Sequence, residues 1–304
     1  MECMKACIAY SFFGTDCKYV SGINRTIRFL MPDGPSRPFD RTSYSIFVYT
    51  DSSSSEFLCS HIINHPLVRI FLVSAESILY SVRRSWRYSI IFSSEIREFD
   101  FCLFRDADSV VNSMEIELID RWLDSSFSYS VIRGCSLHTW PIMAGLFGVK
   151  ASSYDFLKQA LCKSAFLTRL LPDSYSLDQL VLALFVYPFI VDSLGVFTCT
   201  WYYHGENVIP IRESPVCYPG AYLSGSDSSC DLSTSLMLNS SENPEMCKAP
   251  PFAMALPLKF SVRFFFAWNR LSSSSRLFKM LRWIMRSYFG FLACGLALQA
   301  AIVH

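Results

Sequence analysis

The sequence predicts an α/β fold, with a mixed, mainly parallel sheet flanked by helices and a helical appendage at the C-terminal end. Three observations carry this expectation. Short apolar runs rich in β-branched and aromatic residues alternate with stretches of helical periodicity. That is the pattern of parallel strands buried between helical layers and joined by right-handed crossovers. One such run, Phe99-Asp100-Phe101-Cys102-Leu103-Phe104, leads into Arg105-Asp106-Ala107-Asp108-Ser109-Val110. It therefore sets two carboxylates at the carboxyl end of a strand, where open α/β sheets bind their ligands. The composition then changes after residue 213, first to Pro, Ser, Gly and Asn, and after residue 256 to a basic, aromatic-rich segment.

The elements follow in order. Residues 6–51 read as strand, loop, helix, strand, with Pro32-Asp33-Gly34-Pro35 as a loop signal. The serines Ser52 to Ser55 can cap a short helix over 56–64, and Val68-Arg69-Ile70-Phe71-Leu72-Val73 is a strand. Residues 75–93 read as mainly helical. Asn112 is an N-cap with Glu115 at the third helical position, a variant of the capping box. The helix it starts runs to about Ser125, with Ile116, Ile119, Trp122 and Leu123 on one face. Tyr129–Arg133 is a strand. Gly145 and Gly148 stand in an apolar context that predicts close approach of a ligand or a packed element. Residues 151–171 are helical, with Phe156, Leu157, Ala160 and Leu161 on one side. Pro172-Asp173-Ser174 breaks the chain, and Leu177-Asp178-Gln179 opens a helix ending near Tyr187-Pro188.

With 304 residues, the chain can bury one large core or two small ones. The formal charge of +1 argues against a broad electrostatic nucleic-acid binder. Twelve cysteines are scattered with no Cys-x-x-Cys pair, so zinc ribbons and redox motifs lack support. Cys102 and Cys162 sit in apolar patterns and read as buried thiols, and no disulfide framework need be invoked. The apolar stretch after Lys5 is too short for a signal peptide and reads better as the first strand. A reducing, cytoplasmic setting is the expectation. Three segments are expected: a catalytic domain over 1–213, a linker over 214–256 and a helical segment over 257–304. The last interleaves Lys259, Arg263, Arg270, Arg276, Lys279, Arg282 and Arg286 with Phe, Trp and Leu, a composition suited to peripheral binding on an anionic membrane surface. Its uncharged tail of 15 residues, Phe289 to Val303, is shorter than a bilayer span. Packing of this segment on the domain is the alternative.

The carboxylate pair carries the chemistry. Residues i and i+2 of a strand share a face, so Asp106 and Asp108 can address one point. Mg²⁺ and Mn²⁺ are typically held by one or two carboxylates together with phosphate oxygens. The pair thus predicts a metal–phosphate site and a nucleotide-linked substrate. Taken alone, an Asp-x-Asp is more often a turn or a cap. Asp178 near a helix N-terminus is favoured by the dipole whatever its function. Arg133 and His138 can equally be an ion pair and a satisfied loop histidine.

Several stretches together resemble a family. The order Arg105-Asp106-Ala107-Asp108-Ser109, then Glu115 with Trp122-Leu123, then Ile132-Arg133, His138, Pro141-Ile142, Ala144-Gly145 and Phe147-Gly148-Val149-Lys150, then Leu177-Asp178-Gln179 and Val186-Tyr187-Pro188, is similar to GT-A-type glycosyltransferases associated with surface polysaccharides. Tyr10-Ser11-Phe12-Phe13-Gly14 with Lys18, Tyr19 and Gly22, Ile46–Asp51, and Trp86-Arg87-Tyr88 extend the resemblance upstream. It covers roughly residues 6–190 and implies a GT-A-like, Rossmann-type sheet. It also implies a metal-dependent transfer of a sugar from a nucleotide-sugar donor to a glycan or other hydroxyl acceptor. On it, the nucleotide lies near Tyr10, Ser11 and Phe12, and Asp106 and Asp108 hold Mn²⁺ or Mg²⁺. Arg87 or Arg105 adds positive charge, Asp178 is the base of an inverting reaction, and Arg133, His138 and Gly145 belong to the substrate pocket. The chain departs from the pattern where the family carries a His-Asp pair. Here Val191-Asp192-Ser193 has no adjacent histidine, which leaves His204 as the substitute late metal ligand. That departure keeps open an inactive member acting as a binding protein. Asp106-x-Asp108-x-Val110 also matches the start of haloacid-dehalogenase-type phosphatases, in which the first Asp is a phosphate nucleophile. That motif normally follows the first strand, whereas here several strands precede it. A nucleotidyltransferase is a further rival.

Overall fold

A computed structural model of the chain describes residues 3–30, 41–74, 77, 79, 82–134, 138, 140–170, 177–199, 202, 203 and 205–211. The expectations for Pro32–Pro35, Pro172–Ser174, His204 and residues 214–304 lie outside them.

The chain opens with β1 (Met4–Phe12), α1 (Cys17–Leu30), β2 (Thr42–Thr50), α2 (Ser52–His61) and β3 (Val68–Leu72). A 3₁₀ helix, Arg83–Phe92, and a shorter one, Ser94–Glu98, lead into β4 (Phe101–Arg105). There follow α3 (Ser113–Leu123), β5 (Tyr129–Arg133), β6 (Leu146–Lys150), α4 (Tyr154–Leu170), α5 (Leu177–Phe185), α6 (Tyr187–Ile190), β7 (Leu194–Thr198) and β8 (Asn207–Pro210). The eight strands form one sheet in the order β3-β2-β1-β4-β6-β5-β7-β8. All neighbours are parallel except β4–β6 and β5–β6, so β6 runs against both its neighbours. The fold class is the mixed, mainly parallel sheet flanked by helices.

Strand alternation divides the core in two. Cys7 and Ala9 of β1 with Cys102 and Phe104 of β4 face one layer, where Trp86, Tyr88, Ile90, Leu157, Leu161 and Leu182 pack. Ala6, Ile8, Tyr10 and Phe12 of β1 with Phe101 and Leu103 of β4 face the other, against Val20, Ile23 and Ile27 of α1 and Ile116, Ile119 and Trp122 of α3. Both faces of the central strands are covered, which is why β1 and β4 read as continuous apolar runs.

The local signals mostly act as expected. Asn112 caps α3 by accepting from Glu115 N at 2.9 Å. The reciprocal arm of a capping box is missing, because the Glu115 carboxylate turns to Arg105 instead. The cap of α2 is Asp51, whose carboxylate accepts from Ser54 N at 2.7 Å, rather than the serine run. Within the region expected to be mainly helical, Arg83–Phe92 is a 3₁₀ helix. Cys102 is buried, but Cys162 faces outward on α4, and Phe156 lies on its outer side. Cys17 is disulfide-bonded, so the expectation of a chain without sulfur bridges fails there. Among the described residues no helix is long and apolar enough to cross a membrane.

Candidate active site

The sheet order reverses at β1. The chain builds β2 and β3 on one side of that strand and then crosses to place β4 on the other. A crevice therefore opens at the carboxyl ends of β1 and β4, the switch point at which open α/β sheets bind ligands. Ser11 and Phe13 reach it from the end of β1, and Tyr19 reaches it from α1. Asp106, Ala107 and Asp108 line it from the turn after β4. Arg84 and Arg87 come from the 3₁₀ helix, and Asp178 and Gln179 from the first turn of α5.

Arg87 ties these elements together. Its Nη1 donates to Asp106 Oδ1 at 2.7 Å and its Nη2 to Asp178 Oδ2 at 3.5 Å. Nε donates to the Arg84 carbonyl at 2.9 Å, and Nη1 also reaches the Ala144 carbonyl at 3.5 Å. The backbone N–H of Arg87 donates to Ser11 Oγ at 2.8 Å, and that hydroxyl donates to the Arg84 carbonyl at 2.8 Å. A buried guanidinium needs this number of acceptors, because an unpaired buried charge is expensive.

Two glycines seat the carboxylate turn. A Cβ on Gly145 would lie 1.9 Å from Asp106 Oδ2 and 2.9 Å from Asp106 N. A Cβ on Gly22 would lie 2.1 Å from the Ala107 carbonyl oxygen. Both positions therefore require the absence of a side chain so that α1 and the loop before β6 can close on the turn. The turn is further fixed by Ser109, whose N–H and hydroxyl donate to the Asp106 carbonyl at 3.2 and 2.8 Å.

The electrostatics separate the three carboxylates. Partial burial raises the Asp106 pKa, but the charge and hydrogen bond of Arg87 outweigh it and hold the group below the ordinary value. Burial, reinforced by the negative charge of Asp106, pushes Asp108 up to about 6. Burial also raises Asp178, against the pull of Arg87. Asp108 is thus a carboxylate whose ionised form a nearby cation would stabilise. This chemistry fits a hard divalent ion held by one or two carboxylates that completes its shell with water and phosphate oxygens. It does not fit an all-protein cage, because among the described residues no three His, Cys, Asp or Glu side chains cluster as metal ligands.

Several expected site residues come together here: Ser11, Arg87, Asp106, Asp108 and Asp178 line the cleft, and Gly145 packs under it. His138 is near enough for Asp106 to act on it. Its Nδ1 accepts from Gly134 N at 3.0 Å, and burial lowers its pKa to about 4, so the ring is neutral at pH 7. Others do not reach the cleft. Tyr10 and Phe12 point to the opposite face of β1 and are fully buried in the α1–α3 layer, because neighbouring strand residues alternate. Arg105 pairs in register with Tyr10, lies on that same face and forms a buried ion pair with Glu115. Arg133 is fully buried and bound to Glu206 at 2.8 and 2.7 Å, with its guanidinium over the Tyr203 ring at 5.0 Å. It also donates to the Trp140 and Pro141 carbonyls, so it braces the end of β5 rather than facing a substrate. Tyr10, Phe12, Arg105 and Arg133, expected at the nucleotide and substrate site, are thus not among the described side chains that line the cleft. The late metal ligand expected at His204 lies outside the described residues.

Arg84 and Gln179 were not among the expected site residues. The available signal for Arg84 was its spacing from Arg87: in a 3₁₀ helix, side chains at i and i+3 eclipse. The α-helical period expected here does not stack them so directly.

No family model matches the chain, and no curated protein matches it. Solved structures do resemble it. One is a glycosyltransferase involved in the glycosylation of the major capsid of PBCV-1, at 14% identity and a TM-score of 0.41, covering 64% of this chain and 82% of that one. TarS of S. aureus, solved with UDP-GlcNAc, is similar at 14% identity and a TM-score of 0.40, over 70% of this chain and 60% of that one. The glycosyltransferase GlyE of Streptococcus pneumoniae is similar at 12% identity and a TM-score of 0.38, over 64% of this chain and 45% of its own. At this level of similarity none of these likenesses carries an argument about what this chain does.

Proposed function

We propose that this chain is a metal-dependent glycosyltransferase, moving a sugar from a nucleotide-sugar donor to a glycan or other hydroxyl acceptor. The observation that carries the reading is the Asp106-Ala107-Asp108 turn. It stands at the switch-point crevice beside β1, closed on by Gly22 and Gly145 and clamped by a buried arginine. A carboxylate turn in that position suits a nucleoside diphosphate with a hard cation better than it suits a bare turn or cap.

In this reading Asp108, with Asp106 beside it, holds Mn²⁺ or Mg²⁺, which would act as a Lewis acid toward the charge developing on the departing diphosphate. Arg87 fixes the orientation of Asp106, and through Ser11 it ties the turn to the end of β1. The nucleotide lies along Ser11, Phe13 and Tyr19, the side chains that reach the crevice from β1 and α1. An inverting transfer also needs a proton acceptor on the incoming hydroxyl. Asp178 lines the crevice with a raised pKa and a fixed carboxylate, Oδ2 on Arg87 and Oδ1 accepting from Gln179 N at 2.9 Å. A retaining transfer needs no such base.

A phosphatase that used Asp106 as nucleophile fits less well. One of its oxygens is bound to Arg87, and the other is packed where a Gly145 Cβ would stand. Calorimetry with nucleoside diphosphates tests the proposal: binding should be tighter with Mn²⁺ than with EDTA. Asp108→Ala should abolish that difference while keeping the thermal transition. Equal affinity with and without the metal would refute metal-dependent donor binding.

A further inference from the structure

Arg105 is the last paired residue of β4, opposite Tyr10 on β1 and Leu146 on β6, and Glu115 stands in the first turn of α3. Their side chains are buried together, with Arg105 Nη1 donating to Glu115 Oε1. The chain between them is the carboxylate turn and the cap of α3. The pair therefore closes, at both ends, the loop that carries Asp106 and Asp108. As a source of stability it is poor. Arg105 Nε and Nη2 and Glu115 Oε2 are buried without a hydrogen-bond partner, and so is the Tyr10 hydroxyl on the same face. Burial raises the Glu115 pKa even against the pull of Arg105, so desolvation outweighs the attraction. A buried ion pair with hydrogen bonds left unmade is often no better than apolar side chains of similar volume.

We propose that Arg105 and Glu115 are positioning residues for the metal-holding turn: their ion pair, on the far face of the sheet, sets where the Asp106 and Asp108 carboxylates stand in the crevice. This rests on the donor-binding reading above and adds to it the device that holds the carboxylates in place. Two features of the geometry support it. Neighbouring residues at a strand end point to opposite faces, so drawing the Arg105 side chain into the α3 layer turns Asp106 toward the crevice. Ladder pairing ends at Arg105, so beyond it the backbone depends on other ties. Ser109 and the close approach of Gly22 fix the middle of the turn, and the ion pair fixes its two ends. The two carboxylates also differ in how they are held. Asp106 is oriented by Arg87, whereas the Asp108 carboxylate takes a hydrogen bond from its own backbone N–H and so follows the path of the turn.

The test compares the wild-type chain with the double variant Arg105→Met/Glu115→Met and with Arg105→Lys. Each is followed by thermal denaturation and by calorimetry with a panel of nucleoside diphosphates, in Mn²⁺ and in EDTA. The double variant should melt at or above the wild-type temperature, because two apolar chains replace a poorly satisfied pair. Its gain in diphosphate affinity from Mn²⁺ should nevertheless fall about tenfold, in the range that residues orienting metal ligands contribute, while affinity in EDTA stays unchanged. Arg105→Lys should retain most of the gain, since the contact runs through a single nitrogen and an ammonium can make it. A double variant that melts lower or does not fold would make the pair a structural brace and overturn the inference. So would a double variant that keeps the full gain from Mn²⁺, one that loses affinity equally in EDTA, or an Arg105→Lys chain that loses as much as the double variant. A wild-type chain with no gain from Mn²⁺ overturns both this inference and the reading beneath it.

Discussion

Replacing Arg87 with Met should destabilise the chain mainly through Asp178, even though its contact with Asp106 is the shorter one. The Asp106 side chain is 51% exposed and the Asp178 side chain 3% exposed. Without Arg87, Asp106 is rehydrated, so loss of that pair costs no more than about 1 kcal/mol, the range of screened surface pairs. Asp178 cannot reach water and becomes an uncompensated buried carboxylate, a loss of about 3–5 kcal/mol when one partner of a buried pair is removed. Methionine keeps most of the aliphatic volume, so a cavity adds little. The deficit must also depend on pH. Burial already raises the Asp178 carboxyl above its ordinary 3.8, and loss of Arg87 raises it further. A carboxyl with a raised folded pKa contributes its stability fully below the unfolded value and loses it as pH rises through the folded one. Arg87→Met should therefore be closest to wild type near pH 4 and fall behind steadily toward pH 7. Adding Asp178→Asn should remove most of that pH dependence. Urea denaturation across this pH range measures all three proteins. A deficit below about 1 kcal/mol at pH 7, or one flat in pH, would refute the assignment of Arg87 as the partner that compensates Asp178.

Other outcomes follow from the same geometry. Gly145→Ala should displace the Asp106 carboxylate and remove metal-dependent diphosphate binding in calorimetry, at a stability cost of about 1–3 kcal/mol from overpacking; retained binding would show that the turn can shift to accommodate a methyl group. Asp178→Asn should lower kcat far more than donor affinity if the transfer inverts, because a base acts only in the transition state; a loss confined to donor affinity would remove it from that role. Residues 257–304 carry seven Lys and Arg side chains and should bind anionic vesicles less strongly as salt rises, at about 1 kcal/mol of attraction per charge. A full-length chain that ignores such vesicles at low salt would refute that expectation.

What the sequence determined by itself was set by short-range chemistry. Apolar strand runs, the Asn112 cap and the one-sided apolar face of α3 depend on periodicity and on side chains reaching their own backbone, and each of these was legible. The Asp106–Asp108 pair was legible for the same reason: it ends a strand, and strand ends are where α/β sheets bind. Tertiary structure decided which face each residue of β1 and β4 presents. Ser11 enters the crevice while Tyr10 and Phe12 leave it, and Asp106 enters while Arg105 leaves, because the phase of a strand is fixed only when both faces are packed. It also decided which ions are spent. Arg133 meets Glu206 across 73 positions of the chain, and Arg87 meets Asp178 across 91. No local pattern announces such a pairing, since burial supplies the need for a counter-charge and only the assembled layers bring one within reach.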